Sequence, residues 1–202
     1  MIKLYIVKKN LTVEETFDLA VKSYQEKKFH TAEKLYKEVL KKHPDHANTY
    51  VNLGMVLNKK EKYKEAIDCY ERAIKINPND SNPHYNLANL YKKFDKYEEA
   101  INFYNKAIQI NPNNAEVYKN LGLSYRKIGK ATLTFESFSQ AFKINPNLDY
   151  LLGSLILAKH FIVEWKSFDK DLEELAYKIL KKKKCARHFN LYFFLILLNY
   201  KV

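Results

Sequence analysis

Pro44, Pro78, Pro112 and Pro146 stand 34 residues apart. A fixed period of that length confines the chain to an array of repeated supersecondary units. Leu19, Leu53, Leu87 and Leu121 keep the same phase, each followed by a residue without bulk: Ala20, Gly54, Ala88 and Gly122. An aromatic column runs through Tyr36, Tyr70, Tyr104 and Phe138. Small residues recur at Ala32, Ala66, Ala100 and Thr134, and again at Ala73, Ala107 and Ala141, with Val39 in the first repeat. Within each repeat the apolar residues are spaced three and four apart and the pattern breaks near the middle, which predicts two amphipathic helices, A and B. In the second repeat Tyr50, Leu53, Gly54 and Leu57 form the A stripe, and Ala66, Tyr70, Ala73 and Ile74 the B stripe. Gly and Ala leave room for a Tyr or Leu where helices cross at about 8–10 Å. Proline closes each repeat because it cannot continue a helix.

These columns resemble the tetratricopeptide repeat family over four repeats, 13–46, 47–80, 81–114 and 115–148, with 1–12 as an N-terminal extension and 149–202 as a C-terminal helical cap. The family's Leu, Gly/Ala, Tyr, Ala, Phe/Tyr, Ala and Pro pattern is nearly complete in repeats two and three. Repeat one lacks the glycine and carries Ser23 where an aromatic is usual. The resemblance implies an all-α, right-handed solenoid with A helices on the concave side. A helix pair of this size cannot bury its own apolar face, so stacking supplies the core. Composition agrees. The chain is 47% apolar, which excludes a mainly disordered protein, and its 4 glycines and 5 prolines are too few for a turn-rich β-sandwich.

The sixth residue of each repeat is Asp18, Asn52, Asn86 and Asn120. An amide carries both a donor and an acceptor, so such a column can bond the main chain of an extended peptide whatever its side chains. A helices about 10 Å apart match about three residues of extended chain. The competing explanation is that these amides satisfy neighbouring backbone. Lys59, Lys93, Lys119 and Lys127, with Lys92 and Arg126, are expected at the groove or its rim and favour an acidic peptide. Phe17 and Val21 occupy first-repeat positions where a carboxylate-clamp relative needs Lys and Asn, which disfavours that mode.

Beyond the repeats, Tyr150-Leu151-Leu152-Gly153, Ala158-Lys159 and Trp165-x-x-Phe168 resemble the junction into the catalytic region of bacterial O-linked N-acetylglucosamine transferase-like (SPINDLY-type) proteins. The resemblance implies that Asn52, Asn86 and Asn120 hold acceptor polypeptides, with nucleotide-sugar-binding lobes beyond the junction. The sequence stops before such lobes, so it reads as a non-catalytic peptide-binding scaffold, or alternatively as the substrate arm of a truncated or split glycosyltransferase. Leu172, Leu175, Ala176, Ile179 and Leu180 give one apolar helix face, and Leu191–Leu198 offers a surface for a separate catalytic chain or for self-association.

The net charge of +12, from 35 basic and 23 acidic residues, raises a polyanion partner as a third reading. Lysines scattered along the whole chain disfavour nucleic acid as the principal ligand. Cys69 and Cys185 are isolated, and the apolar stretch near the start, Leu4–Val7, is short for an export signal, so a reduced, cytoplasmic setting is expected. The longest apolar run, Leu191–Leu198, is too short to span a membrane. His43 and His46 form the one close histidine pair, without companion ligands, and no nucleophile, metalloprotease or phosphate-loop motif occurs. Neither a catalytic residue nor a cofactor is expected.

Overall fold

Where each B helix follows its A helix, the chain turns through one left-handed residue: Lys27, Glu61, Asp95 and Gly129, with φ of 59°, 60°, 57° and 72°. The next amide then reaches back five residues, with Lys28 N bonded to Ser23 O, Lys62 to Leu57, Lys96 to Tyr91 and Lys130 to Tyr125, at 2.8–3.1 Å. This is the Schellman closure, which satisfies carbonyls that a helix end would otherwise leave open. Glycine takes the left-handed place once; at the other three the strain of about 1 kcal/mol is carried by Lys, Glu and Asp.

The computed structural model describes residues 11–160. Four helical hairpins follow in order: α1 (Val13–Gln25) with α2 (Phe29–Lys42), α3 (Ala47–Lys59) with α4 (Tyr63–Ile76), α5 (Ser81–Lys93) with α6 (Tyr97–Ile110), and α7 (Ala115–Lys127) with α8 (Ala131–Ile144); α9 is Leu151–His160. No strand occurs among the described residues, and the fold is all-α. Side-chain caps start three of the four A helices: Thr12 forms a reciprocal capping box with Glu15, Asp80 accepts from Asn82 N, and Asn114 accepts from Glu116 and Val117 N, while His46 gives α3 no such cap. Trp165, Phe168, the Leu172–Leu180 face and Leu191–Leu198 lie outside the described residues.

The chain divides into two compact units at Asn111/Pro112. In the N-terminal unit each A helix packs on its own B helix and on the B helix before it. In addition α1 meets α3, and α3 meets α5, whereas the B helices approach one another far less. The A helices therefore form the inner layer of this unit. Ala20, Leu35, Tyr36, Leu53, Val56, Leu57, Tyr70, Leu87 and Leu90 build its core. In the C-terminal unit α8 packs on α7 and α9, with Phe138, Ala141, Leu151 and Ala158 buried together.

His84 breaks one column. The residues 34 before and after it are Tyr50 and Tyr118. Its ring is buried against Phe103, and Nδ1 finds no hydrogen-bond partner. Burial, seconded by the Lys106 ammonium, holds the imidazole below its ordinary 6.5, while the Pro78 carbonyl and Asp80 pull the other way. A histidine depressed on folding contributes stability fully above its unfolded value and loses it as pH falls. The thermal midpoint should therefore decline as pH drops below 6.5, and that segment of the decline should flatten in His84→Tyr. Equal slopes in melts of the two proteins between pH 7.5 and about 5 would refute this account.

Candidate functional site

The A-helix faces of the N-terminal unit carry amides at helical spacing. Asn48, Asn52 and Lys59 stand at i, i+4 and i+11 on α3, with Met55 between them. On α5 the stripe is Asn82, Asn86, Asn89 and Lys93, at i, i+4, i+7 and i+11. The flanking faces turn Leu53, Val56 and Leu57, and Leu87 and Leu90, into the core. Asn52 and Asn86 are half-buried at equivalent heights on adjacent helices, and Asp18, their counterpart on α1, is exposed. Phe17, beside Asp18, packs edge-on against Tyr36 and His46 at 5.8 and 5.3 Å.

Asn52 does not stand alone. Tyr36 sits fully buried beneath it; burial pushes the phenol up to about 12, partly countered by a hydrogen bond with the Asn52 amide. Asn89 is held likewise, accepting from the Tyr104 hydroxyl at 2.6 Å. The 34-residue columns do not mark Asn89, because Met55 and Leu123 occupy the same place in the flanking repeats.

The C-terminal unit differs. Asn120 lies on α7 with only 8% of its surface exposed. Lys119 pairs with Glu116 at 2.7 Å, and Lys127 is exposed in the last turn. The three asparagines of the column therefore do not share one environment.

The lysines are placed at the hairpin ends. Lys59 is exposed at the end of α3, and Lys92 is half-buried in the last turn of α5. The Lys93 ammonium donates to the Tyr63 hydroxyl at 2.7 Å and sits 4.3 Å over the Tyr63 ring, so it is drawn toward the turn between A and B helices. Phe94, beside it, meets Tyr63 edge-on at 5.0 Å and stays 46% exposed. His46 Nδ1 contacts Thr49 Oγ1 at 2.5 Å, and His43 is exposed. Burial, followed by nearby carboxylates, pushes the Cys69 thiol up to about 12, far from thiolate chemistry. Among the described residues no cluster of three or more metal-ligating side chains forms, and no helix is long and apolar enough to cross a membrane.

Successive helical hairpins of one pattern define a helical repeat protein. Family comparison agrees. A tetratricopeptide repeat model matches residues 20–79 and 45–113, and a second matches 103–133. Together they span 20–133, more than half of the chain, and the protein belongs to the tetratricopeptide repeat family. Among solved structures, a crystal structure of MamA protein is 24% identical, with 88% of this chain and 95% of that chain covered, at a TM-score of 0.70. A structure from the functional characterization of Pseudomonas aeruginosa PilF is 19% identical, covering 82% of this chain and 75% of that one, at a TM-score of 0.71. At these identities the likeness is one of fold. No curated protein gives a significant match.

Proposed function

We propose that the chain is a non-catalytic scaffold that holds an extended polypeptide on the inner faces of its A helices, with repeats at 13–46, 47–80, 81–114 and 115–148 and a cap from 149. The observation that carries this reading is the pair Asn52 and Asn86: half-buried amides at the same height on two packed helices, α3 and α5. A polar group at such a depth is partly desolvated, so a peptide bond placed on it replaces little water and gains a directional contact. Asp18 extends the row toward the N-terminus. Lys59, and Lys127 in the other unit, are exposed in the last turns of their A helices and favour an acidic ligand.

The test is capture on an array of synthetic unstructured peptides. Changing Asn52, Asn86 and Asn120 together to Ala is expected to reduce capture about tenfold or more, since each lost hydrogen bond is worth about 0.5–1.5 kcal/mol. Helicity should stay as it was. Asn120→Ala alone, at a buried position, is expected to contribute least. Unchanged capture by a fully helical triple variant would dispose of the amide row.

A second reading, the substrate arm of a split glycosyltransferase, draws on the Tyr150–Gly153 and Ala158-Lys159 sequence at α9. Nucleotide-sugar-binding lobes encoded beside this reading frame would favour it; a neighbourhood without them would remove it.

A further inference from the structure

Asn89 on the inner face is gripped from below through its carbonyl end. Tyr104 has no exposed surface, and its hydroxyl donates to Asn89 Oδ1. That bond occupies the carbonyl end and leaves the NH2 end directed away from the core. Tyr36, 1% exposed, lies against the Asn52 side chain and shares a hydrogen bond with it. An asparagine without such a grip exchanges its two ends by turning about χ2, a broad and shallow torsion.

We propose that Tyr104 is a positioning residue that fixes Asn89 as a hydrogen-bond donor toward an extended polypeptide main chain lying over α3 and α5. The inference rests on the peptide-binding reading above and adds to it a polarity and one further contact residue, Asn89. A peptide main chain presents C=O groups that the Asn89 NH2 end can meet. Burial pushes the Tyr104 phenol well above its ordinary value, so the grip on Asn89 is a protonated hydroxyl at any working pH.

Tyr104→Phe removes one oxygen and nothing else. Phe138 fills the same column in the fourth hairpin with no exposed surface, so a ring without a hydroxyl suits that place in the fold. The experiment compares the full chain with N89A, Y104F and N89A/Y104F on the same peptide array, alongside thermal midpoints and side-chain amide spectra by NMR. Each single change is expected to lower capture about two- to tenfold, and the double no further than either one. The Asn89 amide resonances should move in Y104F while the midpoint stays within a few degrees. Capture unaffected in Y104F or in N89A, or losses that multiply in the double variant, would overturn the positioning role. If N52A/N86A also leaves capture unchanged, or the wild-type chain captures nothing, the peptide-binding reading fails with it. If N52A/N86A abolishes capture and Y104F does not touch it, the positioning role falls alone.

Discussion

Tyr70→Ala is expected to lower the unfolding free energy of the N-terminal unit by about 3–5 kcal/mol, the range for removing a buried aromatic ring. For a unit of about 100 residues that is a fall in Tm of more than about 12 °C. Tyr70 is 1% exposed and fills the contact between α3 and α4. A Cβ added at Gly54 would stand 2.6 Å from Tyr70 Cε1 and 2.9 Å from Cδ1, closer than non-bonded carbons tolerate. The same pairing recurs at Gly122, where a Cβ would meet Phe138 at 2.7 Å. Gly54→Ala alone should therefore cost about 1–3 kcal/mol in overpacking, less about 1 kcal/mol gained in helix propensity. In the Tyr70→Ala background the added methyl enters vacated space, so the second substitution should become neutral or stabilising. Thermal or urea melts of the four proteins measure this coupling, and additive losses would show that ring and glycine do not share one contact.

That contact shows what the sequence discloses and what it withholds. Gly54 with Tyr70, and Gly122 with Phe138, were legible because every repeat must solve the same packing problem at the same offset. The hairpins, their turns and the half-buried height of Asn52 and Asn86 follow from that repetition. Features that depart from it carried weaker signals. Asn89 sits where neighbouring repeats place Met55 and Leu123, so its place on the binding stripe emerges from helical spacing and from Tyr104 together. His84 was marked by the tyrosines around it in its column, yet only burial shows its unpaired Nδ1. Lys93 was expected near the groove or its rim, and the Tyr63 hydroxyl draws it to the hairpin turn. Asn120 shares its column with Asn52 and Asn86 but is buried, because column membership fixes a place on the helix and not the side chains packed around it.

Glu33 had no column at all, and it is expected to govern the acid stability of the first joint. From α2 its carboxylate receives Lys37 Nζ at 2.6 Å on the same helix and Lys60 Nζ at 2.6 Å from the end of α3, with Lys62 Nζ at 3.8 Å. Burial by itself would raise this carboxyl, since its side chain is 10% exposed, but the bonds and charges of Lys37 and Lys60 prevail and hold it at about 2, against 4.5 when free. A carboxyl depressed on folding contributes stability above 4.5, and that contribution is lost as pH falls from 4.5 toward 2. The span corresponds to at most about 3 kcal/mol. Water around the more exposed lysines reduces the expected value to about 1–2 kcal/mol. Glu33→Gln should lower stability at pH 7 by that amount and flatten this part of the acid slope, a window below the one set by His84. Lys60 is 26% exposed and Lys37 50%, so Lys60→Met should cost more than Lys37→Met. Lys60 also bridges two hairpins, whereas Lys37 pairs along its own helix. Urea unfolding at pH 7 and at pH 3 reads all three variants. An acid slope in Glu33→Gln as steep as in the parent would place the origin of acid lability elsewhere.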